Sequence, residues 1–133
     1  MRGFSLLELL VTLAIIAILV GLGYPSYRAY QVRGERCRAI AVLMQMASNL
    51  EAYYGEQGVY QGDTEALAIG KLAQQEIRYH FVLSANAEHF SISAVPIGVQ
   101  EKEDQRCGAL LLTDQNVQTI SGSGNAQVCW NSG

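Results

Sequence analysis

The first quarter of the chain is apolar on every side. After Glu8 come nineteen residues without a charge, Leu9 to Tyr27, and the stretch ends at Arg28. As a helix, residues 4–24 would be roughly 30 Å long at about 1.5 Å per residue, which is the thickness of a bilayer core. The pattern therefore predicts a helix that can span a membrane.

Beyond this stretch the pattern becomes amphipathic. Apolar residues recur at intervals of three and four, as on one face of a helix. They are Ile40, Leu43, Met44, Ala47, Leu50 and Tyr54, with Arg36, Arg38, Asn49 and Glu51 between or beside them. We predict one long helix over residues 5–54, of which 28–54 belong to a globular domain. Gly55 and Gly58 should end it, because glycine takes the left-handed cap conformation without a side-chain penalty.

Gly21, Gly23 and Pro25 interrupt the predicted helix. The proline ring removes one hydrogen-bond donor and crowds the carbonyl of Gly21, four residues earlier. We therefore predict a kink or a local melt at this point.

The C-terminal half alternates with period two, which indicates an antiparallel sheet of about four strands over 77–120. Pro96 should end the second strand or mark it as an edge. One face of a strand is formed by Ile77, Tyr79, Phe81 and Leu83, of a second by Phe90, Ile92 and Ala94, and of a third by Leu110 and Leu112; Val117 to Ile120 form a shorter fourth strand. Residues 55–76 are predicted as a loop, in which Leu67, Ile69 and Leu72 anchor a short helical turn. The predicted fold class is α+β, with the helix stripe buried by the sheet.

Three interpretations of the N-terminus compete: a secretory signal peptide cut near Gly21-Leu22-Gly23, an ordinary single-span anchor, or a short leader cut before the apolar segment. The first fits poorly, because the apolar run is long and Glu8 stands where a signal peptide is basic. A carboxylate inside hydrocarbon costs a few kcal/mol, so Glu8 is expected to be a functional group with a partner.

The segment Gly3-Phe4-Ser5-Leu6-Leu7-Glu8 resembles the class III signal of type IV pilins and pseudopilins. The resemblance implies the type IV pilin fold. It also implies that a prepilin peptidase removes residues 1–3 by cutting between Gly3 and Phe4, and methylates the new amine to N-methylphenylalanine. Residues 4–27 would then be a transmembrane and filament-core helix, followed by a globular domain over 28–133. Tyr24-Pro25-Ser26-Tyr27 also resembles the family, which implies that this zone can unwind in the filament.

The leader cut offers a partner for Glu8. It creates a cationic amine at Phe4, and in a filament the partner of Glu8 would be a neighbour's amine. Two opposite charges in an apolar core attract strongly, so Glu8 would select the register of each added subunit. The alternative is that Glu8 pairs with its own amine or with the exposed amides of the first helical turn.

Three cysteines allow three single disulfides. The pattern favours Cys107 with Cys129, because both lie in the C-terminal region and bracket a turn-rich loop. Such a closure contributes about 3 kcal/mol and indicates an oxidising, exported location. Cys37, near the apolar stripe, is predicted to be a buried thiol. Segments 51–60, 106–112 and 129–130 resemble PilE-type minor pilins, whose paired cysteines tie down the last loop.

Enzymatic and metal chemistry find little support. There is no glycine-rich phosphate loop, nucleophile elbow or metal motif, so neither catalysis nor a cofactor is predicted. His80 and His89 lack the spacing of metal ligands. The acidic residues Glu101, Glu103 and Asp104 invite comparison with the calcium site of major pseudopilins of type II secretion, but their spacing favours a solvated turn.

DNA binding needs a basic surface, and the composition disfavours it. The net charge is -3, and beyond Ser84 only Lys102 and Arg106 are basic. The opposing acids are Glu88, Glu101, Glu103, Asp104 and Asp114. The cluster Arg28, Arg33, Arg36 and Arg38 is better explained by interfacial anchoring or subunit contact. Nucleic acid is therefore not a predicted partner.

The resulting prediction is a non-enzymatic minor subunit of a type IV pilus. Its partners would be prepilin peptidase, other major and minor pilins and the inner-membrane assembly platform. It would sit in the inner membrane with a periplasmic globular domain, and then in the extracellular pilus. The resemblance implies a role in twitching motility, adhesion or DNA uptake. The alternatives are a pseudopilin of a type II secretion system and a DNA-uptake receptor.

Overall fold

The computed structural model describes residues 3–61 and 78–131. The chain divides into two units, Met1–Gln31 and Val32–Gly133, here called the N-terminal and C-terminal units. In chain order the elements are α1 (Leu6–Gln57), β1 (Tyr79–Ala85), β2 (Phe90–Pro96), α2 (Val99–Glu103), β3 (Leu110–Thr113), β4 (Gln118–Ile120) and α3 (Ala126–Asn131). The helical turn predicted at Leu67, Ile69 and Leu72, and the strand position Ile77, lie outside the described residues.

Helix α1 begins after Ser5, whose hydroxyl oxygen accepts the backbone amide of Leu7 at 3.3 Å. The helix is continuous through Pro25, and the predicted kink or melt there stays a prediction. The helix passes Gly55 and ends before Gly58, which has a φ of 73° and donates its amide to the carbonyl of Tyr54 at 2.7 Å. Gly58 is therefore the residue that caps the helix.

The N-terminal unit exposes its apolar side chains along the whole described length. Among residues 3–61 and 78–131, α1 is the one helix long and apolar enough to cross a membrane, and its most apolar stretch has no buried part. The predicted spanning segment thus lies in this unit.

The C-terminal unit contains a four-stranded antiparallel sheet in the order β1-β2-β3-β4. Leu83, Ile92 and Leu112 stand opposite one another across three strands, and Ala94 stands opposite Leu110. This row forms the inner face, as the alternation predicted. Pro96 closes the inner strand β2, so it ends that strand and does not mark an edge.

The inner face of the sheet packs on the second half of α1. The buried side chains of α1 are Val32, Arg36, Ala39, Leu43, Met46 and Leu50. The predicted stripe was correct at Leu43 and Leu50 but wrong at Met44 and Tyr54, which are exposed. The buried residues span about 80° of the helix, and Met44 lies outside this arc. Tyr54 lies within the arc but one turn beyond Leu50, the last buried residue of α1.

Two short helices were not predicted. Helix α2 has five residues and α3 has six, so neither is long enough to show a helical period. In α3 the side chains of Cys129 and Trp130 are buried. The Trp130 indole donates to the carbonyl of Thr119 at 3.0 Å, which fixes α3 against β4.

Candidate assembly site

The residues of the predicted processing and assembly site lie together at the start of the chain. Gly3 and Phe4 precede α1, and Glu8 lies in its first turn. All three are exposed. The Glu8 carbonyl accepts the hydroxyl of Thr12 at 2.6 Å. Within residues 3–61 and 78–131, no ion pair involves the Glu8 carboxylate.

The position of Glu8 allows both predicted pairings. Phe4 and Glu8 are four residues apart, about one helical turn, so an amine created at Phe4 could reach Glu8 of the same chain or of a neighbour. The carboxylate also lies in the first turn of α1, beside the backbone amides at the positive end of the helix dipole. The choice between these partners stays a prediction.

The disulfide joins Cys107 to Cys129, the predicted pair, with a Cα–Cα distance of 5.7 Å. It links the segment before β3 to α3. Cys37 is not part of this bond and lies partly buried on α1, less covered than the sequence predicted.

Within the segment closed by the disulfide, residues 121–124 pack closely against the backbone of Arg106 and Cys107. Gly124 donates its amide to the carbonyl of Arg106 at 2.7 Å, and Gly122 donates to the carbonyl of Cys107 at 3.1 Å. A Cβ at Gly122 would collide with the carbonyl of Arg106, so this position requires glycine. The Ser121 hydroxyl oxygen accepts the amide of Ala109 at 2.8 Å.

A buried ion pair connects α1 to the segment after α2. Arg36 donates from Nε to Oδ2 of Asp104 at 2.8 Å and from Nη2 to Oδ1 at 2.6 Å. Their side chains are 8% and 4% exposed. The sequence interpretation was therefore wrong for both residues. Arg36 does not serve interfacial anchoring, and Asp104 is not part of a solvated turn.

Two neutral side chains complete this network. The Gln100 amide donates to the carbonyl of Val32 at 3.1 Å and to the Tyr79 hydroxyl at 3.0 Å, and that hydroxyl lies 3.4 Å from Oδ2 of Asp104. Burial raises the pKa of Tyr79, the Gln100 hydrogen bond lowers it, and the charge of Asp104 raises it further. Burial opposes the charge on Arg36, but the hydrogen bond and charge of Asp104 leave its pKa raised. The network fixes α2 to the first turns of α1 in the C-terminal unit.

The burial of Arg36 could have been inferred from the sequence. Arg36 follows Val32 by four residues and precedes Ala39 by three, so it lies on the buried stripe. A charged residue in that phase indicates a buried charge that needs a partner. Asp104 had no such signal, because α2 ends at Glu103 after five residues.

Three aromatic rings pack together at the C-terminal end of α1. The rings of Tyr54 and Tyr60 stack at 4.4 Å, and Tyr60 meets Phe90 edge-on at 5.0 Å. The Tyr60 hydroxyl donates to Glu51 at 3.1 Å, and its amide donates to the carbonyl of Ala87 at 3.3 Å. Burial, followed by the hydrogen bond to Glu51, raises the pKa of Tyr60 to about 12. Tyr60 thus ties the end of the helix to the β1–β2 turn.

A histidine–carboxylate pair lies at the end of the sheet. Nδ1 of His89 lies 2.8 Å from Oδ2 of Asp114. The hydrogen bond and charge of Asp114 raise the pKa of His89, and the same hydrogen bond lowers the pKa of Asp114 against its partial burial. The pair borders a cleft of about 310 Å³ lined by Ser84, Ala85, Asn86, His89, Phe90, Ser91, Thr113 and Asp114.

Within the described residues, no group of three His, Cys, Asp or Glu side chains is placed to hold a metal ion. In the acidic cluster Glu101 and Glu103 are exposed, whereas Asp104 is buried against Arg36. The arrangement of these three acids therefore does not support the calcium interpretation.

Two family models match the chain. Residues 25–111 match "Type IV minor pilin ComP, DNA uptake sequence receptor". Residues 1–24 match "Prokaryotic N-terminal methylation motif". The second match includes residues 3–8, the segment that resembles the class III leader signal.

Similar proteins include two pilus subunits. Fimbrial protein EcpC of Eikenella corrodens is 30% identical over 107 residues, which cover 76% of this chain and 70% of that protein. Type IV major pilin protein PilE of Neisseria gonorrhoeae is 26% identical over 93 residues, covering 70% of this chain and 54% of PilE. The chain thus spans about half the length of PilE.

Among solved structures, the fold is similar to the non-core minor pilin PilV of Neisseria meningitidis. The TM-score is 0.55 at 20% identity, and the match covers 72% of this chain and 92% of that one. The likeness confirms the long helix packed on an antiparallel sheet.

Proposed function

Because this chain belongs to the type IV minor pilin family described as ComP, DNA uptake sequence receptor, we propose that it is a minor structural subunit of a type IV pilus. It is stored in the inner membrane with its C-terminal unit in the periplasm, and then enters the extracellular filament. In the filament it supports twitching motility, adhesion or DNA uptake. The observation that carries this proposal is the exposed apolar surface of the N-terminal unit.

This surface needs a covering. Among its large apolar side chains, those from Phe4 to Leu22 are half or more exposed, and they form a patch far larger than a soluble monomer leaves uncovered. Each buried methylene contributes about 0.8 kcal/mol, so either a bilayer or a bundle of similar helices would stabilise this helix strongly. A pilus subunit uses both coverings in turn: lipid before assembly and neighbouring subunits after it.

Removal of the leader prepares the subunit to move from the membrane into the filament. A prepilin peptidase would cut between Gly3 and Phe4, methylate the Phe4 amine and leave Glu8 one turn from a positive charge. The inner-membrane assembly platform would then deliver the subunit to other pilins. In the apolar core of the filament, pairing Glu8 with a neighbour's amine offsets two otherwise costly charges and sets the axial register.

The mass and N-terminal sequence of the mature protein test the processing step. We expect a chain that starts at N-methylated Phe4 and keeps the whole of α1. A mature chain that starts at Tyr24 would show that the apolar segment is a discarded signal peptide, and the proposal would then be wrong.

Replacement of Glu8 tests the assembly step. We expect a Glu8→Ala subunit to be processed and membrane-bound, but depleted from sheared pili, because it lacks the charge that selects the register. Glu56→Ala is the matched control, since Glu56 is also an exposed acid on α1. Equal incorporation of both variants would contradict the role given to Glu8.

A second candidate function, DNA reception at the pilus surface, is favoured by the description of the family model that matches residues 25–111. The C-terminal unit offers Lys102 and Arg106 as exposed cations on or next to α2. Fluorescence anisotropy of the full chain in detergent, with labelled duplex DNA across a salt series, tests this function. If the chain is a receptor, the logarithm of its affinity should fall as the logarithm of the salt concentration rises. The magnitude of this slope should decrease by about one unit in each of the variants Lys102→Ala and Arg106→Ala. Unmeasurable binding at low salt would exclude it.

A further inference from the structure

Three tyrosines and an arginine lie where the apolar part of α1 ends. Tyr24, Tyr27 and Tyr30 are 59%, 59% and 71% exposed, and Arg28 is the first charge after the apolar run. All four belong to the N-terminal unit. A tyrosine ring is apolar with a polar tip, so such rings are most stable where apolar and aqueous surroundings meet.

Two of these rings contact polar side chains that lie C-terminal to them on the helix, away from the apolar run. The guanidinium carbon of Arg28 lies 5.5 Å from the ring centre of Tyr24. The Gln31 amide donates to the Tyr27 hydroxyl at 3.1 Å. Each polar side chain comes from one turn further along the helix. The local order is therefore apolar helix, then aromatic ring, then hydrogen-bonding or charged group.

The axial positions match the edge of a bilayer. Ile16 is the midpoint between Phe4 and Arg28. Measured from Ile16, the three tyrosines lie about 12, 16 and 21 Å along the axis. The hydrocarbon of a bilayer ends about 15 Å from its centre, and the headgroups end at about 20–22 Å. Tyr24 would thus sit just inside the boundary, Tyr27 on it and Tyr30 among the headgroups.

The angular spread also favours lipid over a single partner helix. At 100° per residue, the four side chains from Tyr30 through Tyr27 and Tyr24 to Arg28 cover about 160° of the helix. The seam between two helices is narrower, since it uses positions of only two kinds per heptad. A headgroup layer contacts the helix all round.

We propose that Tyr24, Tyr27, Arg28 and Tyr30 form a girdle at the boundary between the hydrocarbon and the phospholipid headgroups, and that this girdle fixes the depth of the apolar helix before assembly. The rings anchor the boundary, and Arg28 meets lipid phosphate. This inference rests on the proposed membrane storage of the subunit. The girdle leaves the headgroups when the subunit is extracted into the filament.

Depth-dependent fluorescence quenching tests the girdle. Single variants Tyr24→Trp, Tyr27→Trp, Tyr30→Trp and Ile16→Trp of the full chain are reconstituted in vesicles of phosphatidylethanolamine and phosphatidylglycerol. The lipid chains are brominated either near the carbonyl or near the terminal methyl. Trp130, the one native tryptophan, is buried in the C-terminal unit, so the unmodified chain gives the background.

We expect the ratio of shallow to deep quenching to be above one for the probe at position 27 and below one for the probe at position 16, because position 27 lies at the edge of the hydrocarbon and position 16 at its centre. If the deep bromine quenches the probe at 16, and the probes at 24, 27 and 30 are quenched by the deep bromine or by neither, the girdle would be overturned while the membrane span would remain. Absent quenching at 16 would overturn membrane storage and the girdle together.

Removal of the rings provides a second test. In the Ile16→Trp chain, the combined changes Tyr24→Leu, Tyr27→Leu and Tyr30→Leu extend the apolar surface toward the C-terminal end of the span. The helix should recentre, and the ratio of deep to shallow quenching at position 16 should fall. Tyr54→Leu, an exposed tyrosine in the C-terminal unit, is the control and should leave the ratio unchanged. An unchanged ratio in the triple variant would contradict the anchoring role.

Discussion

Arg36 and Asp104 are the residues in the described part of the chain whose separation should cost most. Arg36→Ala leaves the Asp104 carboxylate buried without its two charged donors, and the loss of one member of a buried pair typically costs 3–5 kcal/mol. We therefore expect a decrease of about this size in the free energy of unfolding, measured by urea titration in detergent.

Two further variants separate the ion pair from general damage. Arg38→Ala removes an exposed guanidinium that lies 3.4 Å from Glu35, and it should change stability by less than about 1 kcal/mol. The double change Arg36→Met with Asp104→Leu removes both charges and should recover most of the loss. A loss in the double variant as large as in Arg36→Ala would contradict a penalty from the unpaired charge.

His89 and Asp114 predict a pH-dependent contribution to stability. The pKa of His89 is raised in the folded chain, so its contribution is complete below about pH 6.5 and disappears as the pH rises through the folded value. The pKa of Asp114 is lowered, so its contribution is present above about pH 3.9 and disappears as the pH falls through the folded value. The pair is therefore complete between about pH 4 and 6.5.

The measurement is the difference in urea midpoint between the unmodified chain and His89→Gln at pH 5.5 and at pH 8.5. We expect His89→Gln to be destabilising at the lower pH and close to neutral at the higher one. His80→Gln, on an exposed position of β1, is the control for loss of an imidazole. Equal differences at both pH values would show that the ion pair contributes nothing.

At the scale of single residues, the sequence identified those that act through spacing and missed those that act through tertiary contact. Cys107 and Cys129 could be paired because they bracket one loop. Asp104 could not be assigned to Arg36, because 68 residues separate them and no periodicity connects a five-residue helix to α1. Long-range polar pairs depend on the packing of the sheet, which a local pattern does not contain.

At the scale of elements, the loop at Ser121–Gly124 is fixed by close backbone contact. Gly122→Ala would place a methyl group against the carbonyl of Arg106, and we expect a loss of about 1–3 kcal/mol because the backbone must shift. Gly34→Ala is the matched control. Gly34 is helical with nothing within 4 Å of an added Cβ, so this change should stabilise the chain by about 1 kcal/mol. Thermal unfolding in detergent measures both, and a neutral Gly122→Ala would show that the loop can move away.

The sequence predicted the long elements well and the short ones poorly. Helix α1 was expected over 5–54 and is found over Leu6–Gln57. The four strands lie in the predicted segments, except that β4 begins at Gln118 and the predicted Val117 is exposed outside it. Helices α2 and α3 escaped prediction because they form at the ends of connections, held by Gln100 and Trp130. A turn of helix stabilised by tertiary hydrogen bonds has no amphipathic signature of its own.

At the scale of the whole molecule, the division after Gln31 predicts an independently folding fragment. A chain of residues 28–133 keeps every member of the buried core, from Ala39 to Trp130, and removes the exposed apolar helix. We expect this fragment to be monomeric without detergent and to unfold in one cooperative step. Near-ultraviolet circular dichroism measures the unfolding. The full chain should require detergent or lipid, because its exposed apolar surface otherwise associates.

The disulfide decides how robust that fragment is. Replacement of both Cys107 and Cys129 by serine releases α3 from the segment before β3, and it should lower the unfolding free energy of the fragment by about 2–5 kcal/mol. Cys37→Ser, which leaves the disulfide in place, serves as the control and should cost less. A fragment that lacks fixed tertiary structure with its disulfide intact would show that the C-terminal unit needs the apolar helix to fold. In that case membrane anchoring and folding of the subunit would be one event, and extraction into the filament would put the globular unit at risk of unfolding.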